Sequence, residues 1–263
     1  MRIPRLYLPG DYRQAKPQDT LELNKEQAHY ALTVLRLKSG HPVQAFDGLG
    51  HAANGVLNHT SRRSAEFVIE HITPCDNESP LNITLVQSIS RGERMDISIQ
   101  KSVELGVSAI QPIFTERCEV RLDDDKLEKR RAQWQAMVIN ACEQSGRCVV
   151  PTVLPIQTYQ AWLNEFNQAQ TMLLGSNALP CMGLVLDPYA QNRLHTLTPP
   201  TVLNDASQPI YVLIGPEGGL TDDEVHLAVQ NGFNAIQLGP RILRTETAGP
   251  AILAILQALW GDF

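Results

Sequence analysis

Ile210-Tyr211-Val212-Leu213-Ile214-Gly215-Pro216-Glu217-Gly218-Gly219-Leu220-Thr221-Asp222-Asp223-Glu224 is the stretch that decides the fold. The apolar run Ile210 to Ile214 predicts a strand, and the glycine-proline cluster after it predicts a turn. Thr221 with Glu224 three residues on is a capping box, and Asp222 and Asp223 favour the positive end of a helix dipole. Outward from this strand, turn and helix, the same alternation recurs. Ile83 and Leu85 predict a strand, and Met95, Ile99 and Val103 recur at helical spacing as far as Gly106, a C-cap. A strand is expected at Ala109 to Phe114. A long helix is expected from Asp124 to Ser145, with Leu127, Trp134, Val138 and Ala141 on one face and Gly146 behind it. Further strands are expected at Thr171 to Leu174 or Leu184 to Leu186, and at Ala235 to Leu238. Strands separated by helices indicate an α/β domain with a mostly parallel sheet.

Upstream the pattern differs. From Arg5 to Ile72 the chain shows short extended runs such as Val43 to Phe46 and Ala65 to Ile69, with turn signals at Asp47-Gly48 and Asn54-Gly55 and one short helix between Lys25 and Leu35. This predicts a small β-rich domain, a barrel, over residues 1–73. The polar, proline-containing stretch Thr73 to Pro80 suits a linker, placed at 74–80, and the α/β domain takes 81–263. Asp47-Gly48-Leu49-Gly50-His51-Ala52-Ala53 matches a loose dinucleotide-binding pattern, but Asn54, Gly55 and Asn58 follow where that fingerprint requires a helix, so a hairpin turn is the better reading.

The 263 residues are 43% hydrophobic, enough for two modest cores. The longest apolar run, Ala251 to Trp260, is interrupted by Gln257 and is too short to span a bilayer. The N-terminus lacks the apolar core of a signal peptide, so a cytoplasmic protein is expected. The cysteines Cys75, Cys118, Cys142, Cys148 and Cys181 form an odd set with no C-x-x-C pair, which argues for free thiols rather than disulfides or a zinc knuckle. No histidine spacing resembles a metal site, and none is expected. The net charge of -6 is unevenly spread. Residues 1–75 hold nine Lys and Arg against seven Asp and Glu, residues 76–150 ten against twelve, and residues 151–263 three against nine. Only the first half can present a basic face, from Arg2, Arg5, Arg13, Arg36, Lys38, Arg62 and Arg63, to a polyanion; solvated surface charge is the plainer alternative.

Parallel α/β sheets bind ligands in loops beyond the carboxyl ends of their strands. The loop after Ile214 has glycines that let a ligand approach the backbone, but it carries Glu217 where a phosphate loop would carry Lys-Ser/Thr. A carboxylate there repels phosphate and tolerates a cation. The loop after Leu238 packs Arg241, Arg244, Thr245, Glu246 and Thr247 between two apolar segments, and such groups require partners. Thr245 or Thr247 can also cap the last helix, with Pro250 in its first turn.

Together these motifs resemble the SPOUT superfamily of RNA methyltransferases and, within it, the 16S ribosomal RNA uracil-N3 methyltransferase family. The resemblance rests on Val34-Leu35-Arg36-Leu37 with Gly40, Arg91-Gly92-Glu93-Arg94-Met95, Gln100-Lys101-Ser102-Val103-Glu104-Leu105-Gly106-Val107, Glu116-Arg117-Cys118, Cys142-Glu143-Gln144-Ser145-Gly146-Arg147 and both C-terminal loops. It implies a PUA-like β-barrel followed by an α/β domain tied in a trefoil knot. It also implies a homodimer through the C-terminal domains and S-adenosyl-L-methionine as cofactor. Carried over residue by residue, Leu186, Ile214, Gly215, Gly218, Leu238, Gly239, Leu243 and Thr245 are the expected cofactor contacts. The stretch Met172 to Leu184 reads as an insertion.

The implied activity is methylation of N3 of a uridine in 16S ribosomal RNA of the small subunit. N3 requires only loss of a weakly acidic proton, so no cysteine nucleophile is needed. Arg244 is the candidate for stabilising charge on the uracil carbonyls. Glu217 or Glu246 is the candidate for orienting the base or accepting its proton, with a salt bridge or a backbone-bonding role as the alternative for each. Expected RNA contacts are Arg2, Arg5, Arg36, Lys38, Lys101, Arg117 and Arg147. Two other readings share these features: a ribose 2′-O-methyltransferase of the same superfamily, which mass mapping of the product separates, and a non-catalytic RNA-binding assembly factor, which would not bind the cofactor.

Overall fold

The computed structural model describes residues 3–61, 63–174, 179–203 and 206–263. They form two compact units, one of residues 1–78 with Ile139–Val150 and one of Ser79–Val138 with Pro151–Phe263.

The first unit contains β1 (Arg5–Tyr7), β2 (Thr20–Glu22), α1 (Lys25–His29), β3 (His41–Phe46), β4 (Ala52–His59) and β5 (Ala65–Thr73). The strands form one sheet in the order β1-β3-β4-β5-β2, parallel between β1 and β3 and antiparallel elsewhere. This sheet is the expected β-rich domain, with β1 and β2 at its edges. The turn from Asp47 to Gly50 joins β3 to β4 as a hairpin, its geometry held by the Asp47 carboxylate, which accepts from the amides of Leu49 and His51. Asn24 and Gln27 form a capping box at α1, and the helix runs on as a π-helical turn over Tyr30–Val34. Leu6, Leu57, Phe67 and Ile69 are buried at the centre of the core.

Residues 139–150 belong to this unit although sequence alone assigns them to the α/β domain. Glu78 explains much of the attachment: it accepts from Arg147 Nε at 3.0 Å and Nη2 at 2.8 Å and from the amides of Cys148 and Val149. Arg5 donates to the carbonyls of Gly146 and Arg147 and lies over the Phe46 ring. Burial pushes the Glu143 carboxyl above its usual range, against the pull of the Tyr7 amide and Arg5. Cys75 and Cys148 form a disulfide, with Cα atoms 6.3 Å apart. That corrects the expectation of free thiols for this pair; a bridge across 73 residues leaves no local spacing signal.

The second unit contains β6 (Ile83–Ser88), α2 (Glu93–Glu104), β7 (Ala109–Phe114), most of α3 (Asp124–Ser145), β8 (Thr152–Val153), β9 (Gln157–Thr158), α4 (Tyr159–Leu174), β10 (Met182–Leu186), the short pair β11 (Val202–Leu203) and β12 (Ala206–Ser207), β13 (Ile210–Ile214), α5 (Asp222–Gln230), β14 (Phe233–Ile236) and α6 (Thr245–Trp260). Its main sheet is parallel throughout, in the order β14-β10-β13-β6-β7-β8 with β9 also on β7. The expected α/β domain is therefore present, and the capping box of Thr221 and Glu224 opens α5. Two placements differ. Thr171 to Leu174 ends α4, whose Tyr159, Trp162 and Phe166 bury a helical aromatic stripe against Phe233, so the strand is the later alternative. The strand expected at Ala235 to Leu238 runs instead over Phe233–Ile236, so Gln237 and Leu238 belong to the loop. Within the Met172 to Leu184 stretch, residues 175–178 lie outside the described residues, as does Arg62.

Candidate active site

Strands β14, β10 and β13 are parallel neighbours, so their carboxyl ends place three loops side by side. These loops, at Asp187 to Tyr189, Gly215 to Leu220 and Gln237 to Arg244, line a cavity of about 710 Å3 together with Arg94 and Arg117. All eight expected cofactor contacts line it: Leu186 at the end of β10, Ile214, Gly215 and Gly218 after β13, and Leu238, Gly239, Leu243 and Thr245 after β14. The volume is in the range of ordinary small-molecule sites. Gly215 is required by close approach, since a Cβ there would lie 2.6 Å from the Leu220 nitrogen. Gly239 has φ +125°, a conformation L side chains rarely adopt.

A buried hydrogen-bonded chain supports these loops. Gln87 at the end of β6 accepts from Ser98 of α2 and donates to Thr245 Oγ1 at 3.0 Å; Thr245 in turn donates to the Gly215 carbonyl at 2.8 Å. Thr245 thus reaches the cavity wall with its hydroxyl already engaged. It ties the second loop to the first, and neither it nor Thr247 is the helix cap: Arg244 is the N-cap residue and makes no side-chain capping bond. Pro250 stands inside α6, beyond its expected first-turn place. Gln87 and Ser98 escaped sequence reasoning because a lone Gln or Ser in an apolar segment carries no pattern.

The charged groups divide by loop. Glu217 Oε1 accepts from Arg94 Nη1 and from the Arg91 amide, each at 2.8 Å. Burial raises the Glu217 carboxyl, but hydrogen bonds from its own amide and that of Arg91, together with the Arg94 guanidinium, outweigh it, so its pKa lies below the usual carboxylate value. Its charge is thus met by Arg94, in the salt bridge that the sequence left open as the alternative for this residue. Glu246 is different. Its Oε2 is buried and has no hydrogen-bond partner among the described residues. The nearest cations stand off, Arg94 Nε at 3.9 Å and Arg244 Nη1 at 4.0 Å. The Arg244 side chain is 80% exposed.

The expected RNA contacts are scattered. Arg2 lies outside the described residues. Arg36 and Lys38 are exposed. Lys101 is exposed and pairs with Glu104 at 2.8 Å. Arg117 lines the cavity and donates to the Gly218 and Leu220 carbonyls. Arg147 is only 6% exposed and bound to Glu78, and Arg5 donates to the Gly146 and Arg147 carbonyls, so both are engaged within the first unit. Among the described residues, no three His, Cys, Asp or Glu side chains are grouped to hold a metal ion, and no helix is long and apolar enough to cross a membrane.

Residues 77–257 match the RNA methyltransferase domain family, and residues 23–70 match the RNA methyltransferase PUA domain. Ribosomal RNA small subunit methyltransferase E of Buchnera aphidicola subsp. Schizaphis graminum is 33% identical over 99% of this chain and 98% of its own. This chain belongs to the ribosomal RNA small subunit methyltransferase E family. The family member from Neisseria gonorrhoeae, solved bound to S-adenosyl methionine, matches over the full length of both chains with 42% identity and a TM-score of 0.86. A Legionella pneumophila chain, solved in complex with the same cofactor, matches over the full length of both with 34% identity and a TM-score of 0.87.

Proposed function

We propose that this chain is an S-adenosyl-L-methionine-dependent methyltransferase that modifies N3 of a uridine in 16S ribosomal RNA of the small ribosomal subunit. The observation that carries the reading is the cavity at three adjacent parallel strand ends, with Glu246 among the side chains that line it. The full-length likeness to two cofactor-bound chains supports it.

The residues present fit the cofactor. Leu186, Ile214, Leu238 and Leu243 offer an apolar wall suited to a planar base, and the glycine backbone leaves room for close approach. Bound there, the cofactor supplies an electrophilic methyl group on a cationic sulfur. The rest falls to the protein. Uridine N3 keeps its proton near neutral pH, so a base must take that proton as the new N–C bond forms. Glu246 is the proposed acceptor, because its carboxylate lines the cavity and its Oε2 makes no hydrogen bond among the described residues. Arg244 is the proposed partner for charge developing on the uracil carbonyls, a role worth a few kcal/mol when preorganised. Glu217 is assigned to holding its loop.

For RNA, Arg36 and Lys38 of the 1–73 domain and Lys101 and Arg117 of the 81–263 domain are the proposed contacts, with salt-dependent affinity expected of phosphate binding. We place the protein in the cytoplasm, as a homodimer through the C-terminal domain. Exposed Ile97 of α2 and Ile255 and Leu259 of α6 support that surface, since such apolar side chains favour burial. The deciding experiment compares nucleosides of 16S RNA from cells with and without the gene. Loss of 3-methyluridine is the expected result; an unchanged nucleoside profile, or loss of a ribose-methylated nucleoside instead, overturns the proposal.

A further inference from the structure

The strand end that supplies Leu186 also builds a turn, Asp187-Pro188-Tyr189-Ala190. The Ala190 amide donates to the Asp187 carbonyl at 3.2 Å, and the Asp187 carboxylate accepts from the Tyr189 amide at 2.9 Å. Asp followed by Pro is the ordinary chemistry of such a turn. The turn is also tied to the neighbouring strand and its loop. The Asp187 amide donates to the Ile236 carbonyl at 3.1 Å, Gln237 Nε2 to the Pro188 carbonyl at 2.7 Å and the Gln237 amide to the Asn192 carbonyl at 3.0 Å. The backbone is thus held, while the side chain at the tip is left in solvent. Tyr189 is 78% exposed, more than any other large hydrophobic side chain among the described residues. A single exposed tyrosine requires no explanation. This one lines the cavity, as does Ile242, 73% exposed on the loop after β14. Arg241 and Arg244, exposed on that same loop, line it too. A flat ring and an aliphatic side chain beside two guanidiniums match a flat base carried on a chain of phosphates. A ring on a fixed turn, with only two side-chain torsions, also loses little freedom when a flat partner lands on it.

We propose that Tyr189 is a stacking platform for the RNA base that adjoins the modified nucleotide. Drawing one base out of a stack strips its neighbour of a stacking partner. The Tyr189 ring, at the exposed edge of the cavity, takes the place of the base that has left. Stacking of this kind needs only a π-face and reads no hydrogen-bond code. Arg241 and Arg244 meet the phosphates that accompany the base. The inference rests on the reading of RNA as the substrate and is independent of which atom of the nucleotide is methylated. Tyr189 positions the RNA and takes no part in bond making.

The test measures binding of the intact protein to 16S RNA lacking the modification over a series of salt concentrations, with methyl transfer to the same RNA and calorimetry of S-adenosyl-L-methionine binding alongside. Tyr189→Leu keeps an apolar side chain without a ring. It is expected to weaken RNA binding about tenfold and to raise KM more than it lowers kcat, with cofactor affinity unchanged. The salt slope should not move, because a neutral side chain releases no counterions, whereas Arg241→Gln should reduce that slope by about one. Tyr189→Phe keeps the ring and should keep the affinity. The loss in Tyr189→Leu should vanish on RNA from which the base on one side of the modified nucleotide has been removed, since the stacking partner is already gone. Wild-type affinity in Tyr189→Leu, or an equal loss whichever neighbouring base is removed, overturns the proposal. So does a fall in cofactor affinity, which would place the ring over the cofactor, or a change in oligomeric state by sedimentation, which would place it against a second copy. Should Tyr189→Leu not fold, Tyr189→Trp decides: its larger ring should bind RNA at least as tightly as the wild type, and weaker binding overturns the assignment. Wild-type protein that transfers no methyl group to the RNA overturns the underlying reading instead, whereas an active wild type with an unaffected Tyr189→Leu overturns only the role of Tyr189.

Discussion

The loops after β13 and β14 form adjacent walls of one cavity, yet they differ in how completely their polar atoms are engaged. In the first, Glu217 is bound by Arg94 and an amide, the Gly215 carbonyl is bound by Thr245, and the Gly218 carbonyl is bound by Arg117. In the second, Glu246 keeps a buried oxygen with no hydrogen bond among the described residues, and Arg244 extends into solvent. A satisfied group fixes geometry, and an unsatisfied buried one has free energy to gain from a ligand or a proton. The first loop is therefore built for shape, and on the function proposed above the second is the one that reacts.

The sharpest way to break this contrast is to exchange each carboxylate for its amide. Glu246→Gln should lower turnover by about 10²- to 10⁴-fold while cofactor affinity stays within a few-fold, whereas Glu217→Gln should cost less than about tenfold at neutral pH. Equal losses in steady-state assays would erase the distinction. Arg244→Ala should lower turnover by roughly 10²- to 10³-fold, again with cofactor binding intact; normal turnover would remove that arginine from the chemistry. Gly215→Ala attacks shape instead. Its Cβ would collide with the Leu220 nitrogen and Gly219, and overpacking of about 1 to 3 kcal/mol should appear as weaker cofactor binding in calorimetry. Thr245→Val strands the Gly215 carbonyl and should cost about 1 to 3 kcal/mol of stability, read by denaturant unfolding.

The smallest effect is in acid. The Glu217 pKa is depressed in the folded state. Its contribution to stability is therefore complete above the ordinary carboxylate value of 4.5 and is lost as pH falls through the lower folded value. Thermal unfolding of the wild type and Glu217→Gln should differ near neutrality and converge as pH falls toward 3. A gap that widened in acid would contradict the depressed pKa.

Much of the site was legible because its loops carry concentrated signals. Gly-Pro-Glu-Gly-Gly after an apolar run, and two arginines beside a glutamate before another, both stand out, and every expected cofactor contact lines the cavity. The helix Asp124–Ser145 and the α5 cap were legible from periodicity and from local hydrogen-bonding chemistry. What stayed hidden depends on distance in sequence. The Gln87 to Thr245 link spans 158 residues, and nothing around either residue points to the other. Glu217 and Glu246 looked equivalent because sequence shows a carboxylate but not its donors. The tie of Arg147 to Glu78 was hidden for the same reason, since the two lie 69 positions apart. A knot is implied by the resemblance alone, as no spacing encodes one.

The Ile139–Val150 segment bears on how this protein can be taken apart or borrowed from. A single cut after Glu78 would leave an N-terminal piece whose last acidic residue has lost Arg147 and two amides, whose Asn77 has lost the Gly146 carbonyl, and whose Cys75 has lost its bridge partner. The first unit is thus not a cassette that recombination can move intact with one breakpoint. Any lineage that exchanged this first unit would have to exchange the end of a helix encoded sixty codons downstream as well.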